Sequence, residues 1–314
     1  MSKLHTIIGA GGSIGSNLTN VLVQAGEQVR IISRSGKKQE GCESAKANAL
    51  EKEELRAALK GSSIAYLLIG IEYKSSVWES NWPVIMQNTL DICSEENIPF
   101  IFFDNVYMYG LVDGKMTEST PFKPISRKGR LRAKIASSLL EAISEGKVKA
   151  MIARSADFYG PYSEKLSFFH AMVIKNLMEG KKPQWMLNDS LPHSLTFTPD
   201  AGKALYMLSK DESCWNQTWH MPTAYPPKTG TELMNLSAKA LDQQKNGMIL
   251  PKWMLKLLGF FIPAIAENME MLYQVSEPYI FSSEKFEKHF NFSPTSYEEG
   301  IKKSIQHAMN MKNA

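Results

Sequence analysis

The sequence predicts an α/β fold in which a doubly wound parallel sheet is followed by a smaller, mostly helical C-terminal lobe. Two observations support this prediction. Through the first half of the chain, apolar strand patterns alternate with helical patterns, as in a parallel sheet covered by helices. From Tyr159 onward, glycine and proline residues divide the chain into shorter pieces. We therefore expect a sheet domain over residues 1–160, to which residues 193–222 return, and a second lobe over residues 161–192 and 223–314.

The first thirty-five residues contain the unit on which this prediction depends. A short apolar run at 4–8 is followed by three glycines, Gly9, Gly12 and Gly15, then by a helical pattern and a second apolar run at 29–32. Glycines placed in this way between a strand and a helix are the dinucleotide fingerprint of Rossmann-type folds. They permit a tight turn and close approach of a pyrophosphate, whose charge the helix N-terminus favours. The alternative is a glycine-rich turn that binds no ligand.

The loop after the second strand predicts which dinucleotide binds. NAD-binding units place an Asp or Glu about 20 residues beyond the glycines to hold the ribose hydroxyls. Here Ser33 takes that place, Arg34 and Lys37 follow, and no carboxylate appears before Glu40. A guanidinium makes charge-assisted hydrogen bonds to phosphate oxygens, so this loop favours NADP(H) over NAD(H). A solvated basic loop is the alternative.

The residues expected to contact the dinucleotide come from the glycine turn, this loop and the neighbouring strand ends. They are Gly9, Gly12, Ser13, Ile14, Gly15, Ser33, Arg34, Lys37, Asn48 and Ile69.

Composition limits the possible partners. Of the 314 residues 43% are apolar, which is ordinary for a globular protein, and the net charge of +4 is too small to indicate nucleic-acid binding. The densest basic run, at 127–134, has no interleaved aromatic residues and reads as the start of a helix. Three scattered cysteines without metal spacing predict free thiols in a reducing compartment and no metal site.

The longest apolar stretch near the C-terminus runs from Trp253 to Ile265. Lys256, Gly259 and Pro263 interrupt it, and it is too short to span a bilayer. Because the chain also enters a strand pattern at once, we expect no signal peptide. The sequence therefore predicts a cytoplasmic protein without a membrane partner.

Four further motifs follow the glycine pattern along the chain. They are Asn88–Thr89, Val106-x-x-Tyr109–Gly110, Arg154-x-x-Asp157-x-Tyr159–Gly160–Pro161 and Tyr297–Glu298–Glu299–Gly300–Ile301. In order and spacing they resemble the extended short-chain dehydrogenases/reductases of the NAD(P)-dependent epimerase/dehydratase family, over nearly the whole chain. The resemblance implies a small-molecule substrate held between the two lobes. It also implies a possible homodimer formed through the helices predicted at 79–96 and 126–144.

The family's chemistry uses a Ser or Thr, a Tyr and a Lys. Where those residues are expected, this chain has Asn105, Lys128 and Arg132. The resemblance implies that Asn105 holds the substrate oxygen, Lys128 donates the proton and Arg132 holds the nicotinamide ribose. Asn105 and Arg132 are therefore expected to contact the cofactor as well. Lys128 could serve as the acid, because burial beside Arg132 would lower the pKa of its ammonium. The alternative is a solvent-facing Lys128 at the start of a helix, in a site that has lost its acid.

Three residues are expected at the substrate: Tyr107, Asp157 and His193. In nucleotide-sugar members of the family, an Arg seven residues before an Asp grips the diphosphate; here Asp200 is that Asp and His193 replaces the Arg. Asp157 stands where those members often have an Asn. Losing a permanent cation and gaining a carboxylate both disfavour a diphosphate.

Together these observations predict an NADP(H)-dependent oxidoreductase acting on a small carbonyl or alcohol without a diphosphate. One alternative is a nucleotide-sugar epimerase or dehydratase. The other is a non-catalytic protein that senses NADP(H) and binds a partner in its cleft.

Overall fold

The computed structural model describes residues 3–313, and within them a parallel sheet of seven strands forms the centre of the molecule. We number these strands along the chain as β1 (Leu4–Ile8), β2 (Gln28–Ser33), β3 (Glu43–Lys46), β4 (Ile64–Leu67), β5 (Phe100–Asp104), β6 (Ala150–Arg154) and β7 (Thr218–His220). Their order across the sheet is β7-β6-β5-β4-β1-β2-β3, with every neighbouring pair parallel. The doubly wound parallel sheet expected from the sequence is confirmed.

The helices follow the strands and then continue into the second lobe. They are α1 (Ser13–Gln24), α2 (Lys52–Leu59), α3 (Ser75–Glu95), α4 (Arg127–Ser144), α5 (Lys175–Met178), α6 (Thr198–Lys210), α7 (Gly230–Lys239), α8 (Lys252–Gly259), α9 (Pro263–Asn268), α10 (Tyr273–Ser276), α11 (Glu284–Phe290) and α12 (Tyr297–Asn313). None of the helices in the described part of the chain is long and apolar enough to cross a membrane.

Both faces of the sheet are covered, which is why its strands read as continuous apolar runs. Along β4, Ala65 and Leu67 point into the core that α2, α3 and α4 close, whereas Ile64 and Tyr66 point into the core closed by α1 and α6. Phe286 of α11, which the sequence placed in the second lobe, packs into this second core. The C-terminal part of the chain therefore returns to the sheet.

The second lobe is built around its own apolar clusters. One cluster lies between α7, α12 and the segment before α5. Another joins α8 to α10 and contains Leu250, Leu255, Leu272 and Val275. Short strand pairs support the lobe; in one of them, Met248–Leu250 runs parallel to Gln184–Met186.

The strand order reverses between β1 and β4, since β2 and β3 lie on one side of β1 and β4, β5 and β6 on the other. In open parallel sheets, ligands bind beyond the carboxyl ends of the strands at this reversal. The glycine turn that follows β1 lies at this point, so the fold places the predicted dinucleotide site where a ligand is expected.

Candidate active-site cleft

A cleft of about 2040 Å³ begins at the glycine turn and extends beneath the second lobe. Gly9 has φ +98°, and a Cβ at this residue would lie 2.8 Å from the Cα of Ile69. At Gly15 a Cβ would lie 2.6 Å from the carbonyl oxygen of Gly9, so the helix could not approach the turn. Gly12 precedes α1 without a side-chain cap, and no acidic residue lies in the first turn. The N–H groups at this end are thus free to receive an anion.

The residues expected to contact the dinucleotide divide into two groups. Most of them line the cleft: Gly9, Gly12, Ser33, Arg34, Lys37, Asn48 and Ile69. Ser13, Ile14 and Gly15 are buried in the first turn of α1, behind the glycine turn. The Ser13 hydroxyl donates a 2.7 Å hydrogen bond to the carbonyl of Tyr162, which fixes a loop of the cleft wall.

The loop after β2 presents its cations to solvent. Arg34 and Lys37 are exposed on the cleft wall, and neither takes part in any ion pair recorded between residues 3 and 313. The Ser33 hydroxyl accepts a 3.0 Å hydrogen bond from the Lys37 backbone N–H, which turns the loop back on itself. This geometry leaves the guanidinium of Arg34 available for a phosphate.

Replacing Arg34 with alanine should narrow any preference for NADPH over NADH by at least roughly tenfold, because a charged hydrogen bond contributes about 1.5–3 kcal/mol. Calorimetric titration of both cofactors measures the effect. Arg130→Ala, which removes an exposed guanidinium on α4, is the matched control. Equal affinity of the unaltered protein for the two cofactors would contradict the NADP(H) assignment.

Lys128, the expected proton donor, is buried with 1% exposure near the start of α4, so the solvent-facing alternative is wrong. Its ammonium lies 2.8 Å from a carboxylate oxygen of Glu267, 3.0 Å from one of Glu270 and 2.9 Å from the Ser75 hydroxyl. The Tyr73 ring packs against the same ammonium at 4.6 Å. These partners direct the protons of Lys128 towards α9 and α3. The role of Lys128 as the acid stays a prediction. To reach a substrate, its ammonium would have to leave Glu267, Glu270 and Ser75.

The two carboxylates bound to Lys128 belong to Glu267, in α9, and to Glu270, just after α9. Burial by itself would raise the pKa of Glu267, but hydrogen bonds from Lys128 and Ser75 outweigh it and lower the pKa to about 2. Glu270 also accepts a 2.5 Å hydrogen bond from the backbone N–H of Arg127. The cluster therefore attaches α9 to the starts of α3 and α4.

Arg132 also has buried partners. Its Nε donates a 2.7 Å hydrogen bond to Asp104, at the end of β5, and its guanidinium stacks over the Trp82 ring at 4.4 Å. The side-chain oxygen of Asn105 accepts a 3.0 Å hydrogen bond from the backbone N–H of Tyr107. Neither Arg132 nor Asn105 is among the residues that line the cleft. Asn105, Lys128 and Arg132 thus bind different neighbours, and their joint catalytic role stays a prediction.

Two tyrosines on the cleft wall lie beside the expected site. The hydroxyls of Tyr73 and Tyr107 are 3.4 Å apart, and the Tyr107 ring stacks on Trp78. Burial raises the pKa of both phenols, so near neutral pH they are hydrogen-bond donors and not phenolates. Sequence reasoning identified Tyr107 but missed Tyr73, which belongs to no motif; its position in the loop between β4 and α3 was the available signal.

Asp157 and His193 form a hydrogen-bonded pair at the wall of the same cleft. Asp157 lines the cleft, and its carboxylate lies 3.0 Å from Nε2 of His193. His193 is buried behind it, stacked on Tyr279 with ring centroids 4.5 Å apart. His193 therefore supports Asp157 from the side away from the cleft, so a substrate would meet the carboxylate first.

The wall contributed by the second lobe is mainly apolar. Its side chains come from the segment before α5, from α8 and α9, and from the turn before α10. They include Met172, Leu255, Leu258, Ile265 and Leu272, and the strand Gln184–Met186 adds Met186. Gln274 and Asn268 add polar groups to this wall. Lys165, which is exposed, also lines the cleft. Such a wall favours a ligand that offers apolar surface to it.

Comparisons with known proteins agree with this fold. The sequence model of the NAD dependent epimerase/dehydratase family matches residues 5–213. Among curated protein sequences, none matches the chain.

Solved structures with similar folds include several nucleotide-sugar enzymes. A dTDP-glucose 4,6-dehydratase from Bacillus anthracis in complex with NAD is 16% identical, with a TM-score of 0.81 over 99% of this chain and 98% of that one. A UDP-glucose 4-epimerase from Thermotoga maritima with UDP-glucose is 16% identical, with a TM-score of 0.80 over 98% and 99%. A UDP-glucuronic acid 4-epimerase from Bacillus cereus in complex with NAD is 15% identical, with a TM-score of 0.80 over 99% and 98%. At such identities the likeness extends to the fold alone.

Proposed function

Because this chain belongs to the NAD-dependent epimerase/dehydratase family, we propose that it binds an NAD(P) dinucleotide at the glycine turn. We propose further that it uses the dinucleotide for redox chemistry on a carbonyl or alcohol whose apolar part lies against the second lobe. The size of the cleft supports two ligands. Its volume of about 2040 Å³ is well above the roughly 300–1,000 Å³ of a site for one drug-sized molecule.

The dinucleotide that we propose is NADP(H). The support is the exposed Arg34 beside Ser33, where an NAD-binding unit would carry an acid. Lys37 adds a second cation on the same wall. The phosphates would lie on the N–H groups at the start of α1, and Asn48 and Ile69 would border the adenosine and nicotinamide parts of the cleft.

The substrate that we propose is more apolar than the small carbonyl compound suggested by the sequence. Leu255, Leu258 and Ile265 line the same cleft as Tyr107 and Asp157. Each methylene buried there would contribute about 0.8 kcal/mol to binding. A hydrocarbon or ring system attached to the reacting carbon fits this wall, and affinity should rise with its length.

Two polar side chains that line the cleft could serve the chemistry. When bound, a nicotinamide supplies or accepts the hydride. Tyr107 can donate a hydrogen bond to the substrate oxygen, because its phenol stays neutral. Asp157 places a carboxylate on the same cleft wall, with His193 hydrogen-bonded behind it, and we propose that it takes part in the proton transfer. A role for Lys128 as proton donor requires its ammonium to leave Glu267 and Glu270.

A second candidate is a nucleotide-sugar epimerase or dehydratase. The comparisons support this candidate better than they support a reductase of small carbonyl compounds, because the similar solved structures include enzymes of that class. Lys165 on the cleft wall is a cation that a diphosphate could meet. Against it stand His193, buried in the place of the gripping Arg, and the apolar wall of the second lobe.

A thermal-shift panel with NADPH present should separate the two candidates. We expect the midpoint of unfolding to rise along a series of alkyl ketones and secondary alcohols of increasing chain length, and oxidation of NADPH to follow the same order for the ketones. UDP-, GDP- and dTDP-sugars should give no saturable shift. A saturable shift with any nucleotide sugar would put the epimerase or dehydratase first. Binding of NADPH without turnover of any compound would favour the sensing protein.

A further inference from the structure

The segment from Lys252 to Ile262 carries an exposed apolar surface that no other part of residues 3–313 covers. The exposed fractions are 86% for Phe260, 79% for Phe261 and 64% for Trp253. Leu257 is 53% exposed. Single exposed apolar residues are common, but large aromatic side chains gathered on one segment mark a surface that meets a partner.

The spacing of these residues places them on one side of the helix. Trp253, Leu257 and Phe261 are separated by four residues each, and Phe260 lies three after Leu257, so they form one stripe along α8 and the turn that follows it. The backbone continues this helical course, because Phe261 N–H donates to the carbonyl of Leu258 at 3.0 Å. The stripe is therefore continuous from the start of α8 to its end.

Charge identifies the partner. Lys252 and Lys256 are exposed one helical turn apart beside the apolar stripe, and neither belongs to an ion pair recorded in the described residues. From residue 243 to residue 266 the chain contains no Asp or Glu. Lysines that flank Trp, Phe and Leu on a short amphipathic helix suit the headgroup layer of an anionic bilayer.

We propose that the α8–α9 hairpin, residues 252–268, binds the surface of a membrane that contains anionic lipids. Phe260, Phe261 and Trp253 enter the boundary between headgroups and acyl chains, while Lys252 and Lys256 meet the lipid phosphates. The hairpin lies on the bilayer and does not span it, which agrees with the length and interruptions of its apolar run. This proposal differs from the prediction, made from the sequence, that the protein has no membrane partner.

The opposite side of the same hairpin faces the cleft. Leu255, Leu258 and Ile265 line the cavity, whereas Trp253 and Leu257 point outward. A membrane-bound hairpin would place the apolar end of the cleft next to the lipid. An apolar substrate could then enter from the bilayer without crossing water; this last step rests on the proposed function, whereas the lipid contact itself does not.

Flotation of the full-length protein with vesicles tests the lipid contact without any substrate. We expect the protein to float with phosphatidylcholine vesicles that contain phosphatidylserine, more weakly with phosphatidylcholine alone, and less at high salt. Phe260→Ser together with Phe261→Ser should weaken binding by at least roughly tenfold, because two large apolar side chains are lost. Lys252→Glu together with Lys256→Glu should abolish the preference for anionic lipid.

The matched control replaces two apolar residues that are half exposed elsewhere, Leu111→Ser with Ile125→Ser, and should float like the unaltered protein. The proposal is overturned if the unaltered protein does not float with anionic vesicles or if the Phe260/Phe261 variant floats equally well. It is also overturned if light scattering finds a dimer that this variant converts to a monomer, since a second copy then covers the surface. If the Phe260/Phe261 variant unfolds, the Lys252/Lys256 variant tests the proposal by itself: an unchanged preference for anionic vesicles then overturns it. Failure to float leaves the proposed redox function standing.

Discussion

Lys128→Met is expected to lower the free energy of unfolding by about 3 kcal/mol. Removing one partner of a buried ion pair costs about 3–5 kcal/mol, because the other charge is left without compensation. The lower end applies here, because the side chains of Glu267 and Glu270 are 24% and 23% exposed to solvent. Urea unfolding measures the loss, and Lys134→Met, an exposed lysine on the same helix, is the control.

The same variant separates a structural role from a catalytic one. If Lys128 serves to hold α9, Lys128→Met combined with Glu267→Gln and Glu270→Gln should recover part of the lost stability, because no buried charge then remains unpaired. Any turnover should follow the folded fraction. A variant that is as stable as the unaltered protein but has lost turnover would assign the proton to Lys128, as the sequence resemblance implies.

Acid should destabilise the protein by about 5 kcal/mol between pH 6.5 and pH 4.5, before most carboxylates titrate. Burial lowers the pKa of His220 to about 3 and that of His5 to about 4. Unfolded histidines titrate near 6.5, so in this interval the unfolded chain binds protons that the folded protein excludes. Stability is therefore complete only about one unit above pH 6.5 and declines as the pH falls, with a slope that approaches about 1.4 kcal/mol per unit for each histidine.

The hydrogen bonds of His220 explain why it must stay neutral. Arg154 donates to the Tyr109 hydroxyl at 2.8 Å, and that hydroxyl lies 2.8 Å from Nε2 of His220. Nδ1 lies 2.8 Å from the carbonyl of Ser282, so Nδ1 carries the proton and Nε2 accepts. His220→Gln should halve the dependence on pH in chemical unfolding at several pH values. A pH dependence that is unchanged in the His220→Gln variant would contradict the assignment.

The sequence was sufficient to predict the family and the architecture of the sheet. Strands buried on both faces produce apolar runs, and the glycines after β1 are required by contacts within a few residues or with the neighbouring strand. Gly15 faces Gly9 directly, and Gly9 faces Ile69, two residues beyond the end of β4. Such local requirements can be recognised in one sequence. The NADP(H) preference of the Arg34 loop stays a prediction.

The surroundings of the expected catalytic residues could not be predicted, because their partners are distant in sequence. Lys128 binds Glu267, 139 residues later, and no pattern connects the two. The start of α3 also differs: the sequence indicated residue 79, whereas the helix begins at Ser75 with Pro83 inside it. Proline is favoured in the first turn of a helix and suggests a later start. The additional turn brings Ser75 to Lys128 and Trp78 to Tyr107.

The carboxylate of Asp104 has a consequence for how the central strands align during folding. Asp104 ends β5 and lies directly opposite Arg154, which ends β6, while Arg132 on the connecting helix pairs with the same carboxylate. A shift of one residue between these strands would turn the side chains to opposite faces and bury Arg154 without its counter-ion. The correct register of this βαβ unit is therefore selected by charge as well as by its apolar pattern.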